Sequence, residues 1–190
     1  KVITSAEGGI ATSNNKILMD KISLGRNYGA NDDYNCNYLG LNGKMSEFHA
    51  AIAIDSISLL SDSVLMRNEI VNLYHKRLSE IPGISFQYVP DEHISTYKDF
   101  SIIIDKKLFG MDRDDLINGL KNEGIYSKKY FYPPLHKMTL YKNINHYAEG
   151  LDNTDKVANN IICLPIYSHM RSDTVEKICF TIYRLWKKVN

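Results

Sequence analysis

The sequence predicts an α/β chain in three consecutive parts: the end of a larger domain over residues 1–60, a connecting helix over 61–83, and a small α+β domain over 84–190. Three observations carry this. Residues 1–60 join short β-branched stretches and glycine-punctuated loops to a helix that is apolar nearly all round. Residues 61–83 place apolar side chains at helical spacing and stop at Pro82-Gly83. Beyond Gly83, short apolar runs alternate with amphipathic helices.

Taken in order, residues 2–4 and 10–13 read as two short strands around the turn Glu7-Gly8-Gly9, a hairpin whose paired glycines permit positive φ. Asn14 or Asn15 caps a helix running to about Leu24, and Gly25, Gly29, Gly40 and Gly43 then punctuate a long polar and aromatic loop. A loop that long inside a compact domain is more often functional than idle. Ser46 caps the next helix, with His49 where a capping box would place an acid. Phe48, Ala51, Ile52 and Ile54 give that helix the surface of a buried element.

From Ser61 a helix carries Val64, Leu65, Val71, Tyr74, Leu78 and Ile81. Strands follow at 84–89 and 100–104, then a helix from Asp112 with Leu116, Ile117 and Leu120 inward and Gly124 closing it. Residues 126–132 read as another strand ended by Pro133-Pro134, and 161–164 as a last one before Pro165. A helix from Ser172 repeats Val175, Ile178, Ile182, Leu185 and Val189 on one face.

With 44% hydrophobic and 24% charged residues in 190, the chain has the composition of a soluble globular protein. A net charge of +1 with interspersed signs provides no basic field for a nucleic-acid backbone, so no nucleic-acid partner is expected. The apolar runs are too short to span a bilayer, and the expectation is a soluble, cytoplasmic protein without a membrane partner. Cys36, Cys163 and Cys179 show no paired spacing, and the six histidines form no ligand motif, so neither a disulfide framework nor a metal site is expected.

The chain opens inside a strand-like segment, Lys1-Val2-Ile3-Thr4, with no polar lead-in, which suggests that further sequence precedes it. Read from the residues alone, no constellation specifies an enzyme. What they permit is a lysine amine at the end of a buried strand, where desolvation makes it a nucleophile toward an aldehyde.

Several segments in order narrow the reading. The stretch Lys1-Val2-Ile3-Thr4-Ser5-Ala6-Glu7-Gly8-Gly9 resembles the one in which DegT/DnrJ sugar aminotransferases place the lysine that carries pyridoxal 5'-phosphate. Arg26-Asn27-Tyr28-Gly29 is similar to that family's Arg-x-x-Gly. Gly40-Leu41-Asn42-Gly43-Lys44-Met45-Ser46-Glu47-Phe48-His49-Ala50-Ala51 resembles its most specific downstream motif. Arg67 and Tyr74 match its long helix. Glu123-Gly124-Ile125, Lys129-Tyr130-Phe131-Tyr132-Pro133-Pro134-Leu135-His136 and Cys163-Leu164-Pro165-Ile166-Tyr167 extend the likeness through the last domain.

The resemblance implies a fold-type I transferase dependent on pyridoxal 5'-phosphate, acting as a homodimer with shared active sites on glutamate and a keto-sugar nucleotide. It gives Lys1 the catalytic, cofactor-binding role and makes Asn42 a ligand of the cofactor phosphate across the dimer. It also makes Lys44 and His136 substrate-binding candidates, with Tyr132 beside them. Many relatives have Arg where this chain has Lys44, and the two differ in fork geometry. The motifs look most like the branch that aminates carbon 4 of dTDP-4-keto-6-deoxyglucose. Other keto-sugars or ring carbons, and a catalytically incomplete scaffold or oligomerisation fragment, stay open. A related dehydratase that has histidine in place of the lysine is disfavoured by Lys1. The aspartate for the pyridine nitrogen lies upstream of the lysine in the family, so this segment alone is expected to be inactive.

Overall fold

The computed structural model describes residues 1–31, 35–144 and 150–190, which fall into two compact units, Lys1–Ser61 and Asp62–Asn190. In the first unit, helix α1 (Lys16–Gly25) starts at Asn15, whose side chain accepts from the Leu18 N–H at 3.1 Å. Helix α2 (Glu47–Ser58) starts at Ser46, whose hydroxyl accepts from the His49 N–H at 3.4 Å. The His49 ring lies 2.8 Å from the same hydroxyl, so it steadies the cap in place of an acid.

Two expectations for this unit are corrected. Among the described residues, 2–4 and 10–13 pair with no strand, and the hairpin reduces to a tight turn. Glu7 N–H donates to Ser5 O at 2.8 Å, with Ala6 at φ 60°. The β-branched side chains supply strand preference, but a strand forms only where a neighbour completes its ladder. Nor is α2 buried: Ala53 alone is enclosed, while Phe48 is 85% and Ile54 71% exposed. Its apolar surface finds no cover among the described residues of this unit.

The second unit holds α3 (Leu60–Leu78) from Asp62 onward, with β1 (Ile84–Phe86), β2 (Phe100–Ile104), α4 (Lys106–Phe109), α5 (Arg113–Asn122), α6 (Asp152–Asn160), β3 (Ile161–Leu164) and α7 (Ser172–Val189). The three strands form an antiparallel sheet in the order β1-β2-β3, with Ile102 opposite both Phe86 and Ile162. Phe100, Ile102 and Ile104 alternate along β2 into the core. There they join Val71, Tyr74 and Leu78 of α3, Leu116 and Leu120 of α5, and Val175, Ile178 and Ile182 of α7.

Residues 61–83 are therefore more than a connector, because the inner face of α3 is part of this core. The buried Tyr74 hydroxyl donates to Pro165 O at 2.9 Å, and burial raises its pKa. The strand expected at 126–132 shrinks to a single bridge, Lys128 opposite Cys163. In that register Pro165 falls opposite Tyr126 and has no N–H to extend the ladder. All three cysteines are free, and burial pushes the Cys179 thiol up to about 12. Among the described residues no single helix is long and apolar enough to cross a membrane.

Ile102 is fully buried on the central strand. Ile102→Ala is expected to lower the free energy of unfolding by about 2–5 kcal/mol, whereas Leu108→Ala at an exposed position should stay within about 0.5 kcal/mol. Urea denaturation midpoints of the two variants against the parent check this.

Candidate functional site

In the first unit the site is assembled from loops held by close backbone contacts. A Cβ at Gly29, which has φ 73°, would lie 1.9 Å from Tyr38 O, and one at Gly40 would lie 2.1 Å from Gly29 N. Only glycine allows the two backbones to meet. Tyr28 N–H donates to Leu41 O at 3.0 Å, Gly43 N–H to Arg26 O at 2.8 Å, and Asn27 bridges Asn42. These bonds fix the segment bearing Asn42 and Lys44; residues 32–34 of the same loop lie outside the described residues.

Asn42 and Lys44 are both exposed, and Lys44 Nζ donates to Asn42 Oδ1 at 2.6 Å while lying 4.1 Å from the Tyr28 ring centroid. That bond takes up the amide oxygen and leaves the amide NH2 as the outward group, a donor suited to an anion. The turn of residues 5–9 rests nearby. At Gly8 a Cβ would come within 2.6 Å of Met45 Cε, and Thr4 N–H donates to Ser56 Oγ of α2 at 2.9 Å. Between turn and loop lies a cleft of about 430 Å³ lined by Gly9, Met19, Ile22, Arg26, Gly43 and Met45.

The structure thus places the segment that begins with Lys1 against the one that carries Asn42 and Lys44. Lys1 itself is exposed among the described residues. The residues present suit pyridoxal 5'-phosphate in their chemistry: a primary amine for its aldehyde and an amide donor for its phosphate.

His136 belongs to the second unit. It sits on a short 3-10 turn (Leu135–Lys137), 15% exposed, with Nε2 2.9 Å from Asp155 Oδ1 on α6. Lys137 Nζ reaches the other oxygen at 2.7 Å. Helix α6 escaped the sequence reading because its polar run Asp152-Asn153-Thr154-Asp155-Lys156 hides a narrow apolar stripe at Val157 and Ala158. Tyr132 is 49% exposed and lies against the buried guanidinium of Arg113, 4.7 Å from ring centroid to Cζ. Sequence reasoning missed Arg113; the available signal was a cation directly after the helix cap Asp112. An apolar cavity of about 690 Å³ lies behind this segment, lined by Phe131, Leu135, Met138, Val157 and Ile161 among others.

Residues 1–183 match the model of the DegT/DnrJ/EryC1/StrS aminotransferase family. The chain is 33% identical over 182 residues to the dTDP-4-amino-4,6-dideoxy-D-glucose transaminase of Shigella dysenteriae, a match that covers 96% of this chain and 49% of that protein. It is 34% identical over 173 residues to the Escherichia coli protein of the same name, covering 90% and 46%. Among solved structures, a DegT DnrJ EryC1 StrS aminotransferase from Brucella abortus superposes with a TM-score of 0.82 at 24% identity, over 91% of this chain and 44% of that one. The chain spans about half the length of the curated relatives it matches.

The Asp155 carboxyl lies below its ordinary value of 3.8, chiefly through the hydrogen bond from Lys137. Because the folded value is depressed, the contribution to stability is present above 3.8 and is lost as pH falls through the lower folded value. Lys137→Met should move the Asp155 titration upward toward the ordinary value. Carboxyl-carbon NMR across the acid range reads this directly, and an unmoved midpoint would contradict the assignment.

Proposed function

Because the chain belongs to the DegT/DnrJ/EryC1/StrS aminotransferase family, we propose that the whole protein is a pyridoxal 5'-phosphate-dependent sugar-nucleotide aminotransferase. It moves an amino group from glutamate to carbon 4 of a dTDP-linked 4-keto-6-deoxy sugar. The fold is that of the fold-type I enzymes. The observation that carries the substrate reading is the 33% identity, over 96% of this chain, to a transaminase named for the 4-amino-4,6-dideoxyglucose nucleotide.

The reaction exchanges an amine for a carbonyl: glutamate leaves as 2-oxoglutarate and the keto-sugar leaves as the amino sugar. The cofactor, when bound, supplies an electrophilic carrier for that nitrogen. Lys1 would hold it through Nζ, and as a neutral amine within reach the same Nζ would take the proton from the α carbon of the donor and later deliver one to carbon 4 of the sugar. Asn42, oriented by the Lys44 bond to its oxygen, would donate its NH2 to the cofactor phosphate of the partner subunit. Lys44 itself faces the diphosphate of the sugar nucleotide as a point charge. His136, steadied by Asp155, belongs to the substrate side in the second unit.

Support for shared sites comes from the loop itself. Leu39 is fully exposed and Leu41 is 76% exposed on either side of Gly40, immediately before Asn42, an apolar flank for a second copy to cover.

The full-length protein, supplied with glutamate and dTDP-4-keto-6-deoxyglucose, is expected to yield a product with nitrogen at carbon 4, assigned by NMR. Nitrogen at carbon 3 would overturn the substrate reading. Lys1→Ala should abolish turnover and remove the pyridoxyl label that borohydride leaves on the parent; undiminished labelling would refute the role of Lys1. Mixing full-length Asn42→Ala with full-length Lys1→Ala should restore activity, since a mixed dimer holds one site free of both changes. Continued inactivity despite demonstrated subunit exchange would count against sharing.

A further inference from the structure

We propose that Arg113 is a positioning residue for the sugar-nucleotide step, holding the ring of Tyr132 so that its phenol is presented to the substrate. This role rests on the aminotransferase reading above. Arg113 stands at the first position of α5 and is 4% exposed. A guanidinium stays charged in proteins, and its burial is costly unless every side of it is matched.

The matching here is specific. Nε donates to Asp114 Oδ1 at 2.7 Å, and NH1 donates to Ala158 O at 2.5 Å. Ala158 lies in the last turn of α6, where carbonyls lack helical partners and carry partial negative charge. The face of the guanidinium covers the Tyr132 ring at 4.7 Å. The same Asp114 oxygen also takes Lys129 Nζ at 2.9 Å, and that ammonium lies 5.6 Å from the Tyr132 centroid. One carboxylate thus yokes two cations against one ring, and those two hydrogen bonds, Arg113's first, hold Asp114 below the usual carboxylate range.

Filling space would not need this arrangement, since an apolar side chain fills a pocket at lower cost than a buried cation. The arrangement spends the charge on a ring that is 49% exposed. Among the described residues the Tyr132 hydroxyl has no hydrogen-bond partner. The ring is therefore fixed at its root while a group able to donate to a phosphate or sugar oxygen is left available. Four residues on, His136 and Lys137 are tied to Asp155 of the same helix α6. The segment between is thus held at one end against Arg113, itself bonded to α6, and at the other directly to α6.

The test uses the full-length protein with Tyr132→Phe, Arg113→Met, Arg113→Lys and the double variant Arg113→Met/Tyr132→Phe. Tyr132→Phe should raise KM for the keto-sugar nucleotide about tenfold, the scale of one lost hydrogen bond to a charged group. Arg113→Met should do the same, Arg113→Lys should fall between, and the double variant should be no worse than Arg113→Met. The half-reaction with glutamate alone should keep its rate in all four. Hydrogen exchange over residues 128–137 should accelerate in Arg113→Met and not in Tyr132→Phe. If Arg113→Met speeds exchange or lowers Tm while KM is unmoved, or if the two effects simply multiply, the positioning role is overturned. Should Arg113→Met not fold, Arg113→Lys and Asp114→Asn carry the comparison. A parent protein that aminates no keto-sugar nucleotide refutes the functional reading on its own and takes this role with it, whereas a KM unmoved in the variants of an active parent refutes only this inference.

Discussion

The alternation along β2 is the constraint on which the second unit depends. Phe100, Ile102 and Ile104 project to one side of a strand that is paired on both edges, so the ladder hydrogen bonds are satisfied and the inward face must be covered. Three helices cover it, α3, α5 and α7, each with an apolar stripe in the same core. Their placement decides where everything else sits. Arg113 opens α5 because Leu116 and Leu120 of that helix are inside, and α6 runs into β3, bringing Ala158 and Asp155 to the same edge. The clamp on Tyr132 is thus a by-product of core packing before it is anything chemical.

In the first unit the corresponding constraint is the mutual approach of Gly29 and Gly40. With no side chain on either residue, two stretches of a long loop come into backbone contact and the Asn27–Asn42 bridge closes. Asn42 and Lys44 are then presented from a framework of backbone bonds rather than from a helix or sheet. A loop built this way holds polar groups at the surface without burying unpaired N–H groups beneath them. The bond from Lys44 to Asn42 adds orientation, because an amide whose oxygen is engaged can offer only its donors.

Periodicity and capping chemistry made much of this legible in the sequence. Asn14 or Asn15, Ser46 and Asp112 were recognisable as helix starts, and the side chains of Asn15, Ser46 and Asp112 each accept a backbone N–H there. β2 and β3 were readable at their full bounds, since alternation and a bounding Pro165 leave little freedom. Helix α6 was not, because its apolar stripe is only two residues wide and its polar face resembles a loop. Arg113 was invisible for a related reason. Sequence shows a cation near a helix start, a place where charge normally faces water, and only the fold shows that α6 and Tyr132 close over it.

The expectations that did not hold in the first unit share one cause. The strands at 2–4 and 10–13 and the buried α2 were each inferred from side-chain character, and each is a statement about neighbours. An apolar pattern records that a surface is stable when covered; it carries no information about which surface does the covering. Phe48 and Ile54 are as hydrophobic as the core residues of α3, yet they stand exposed because no described element of their unit lies over them. The same reasoning applies to chemistry. A lysine becomes a nucleophile when its surroundings disfavour charge, and those surroundings are assembled by packing rather than by the residue. In this chain the stretch that opens with Lys1 resembles the family's cofactor-lysine motif, while the reactivity of such a lysine is a property of whatever encloses it.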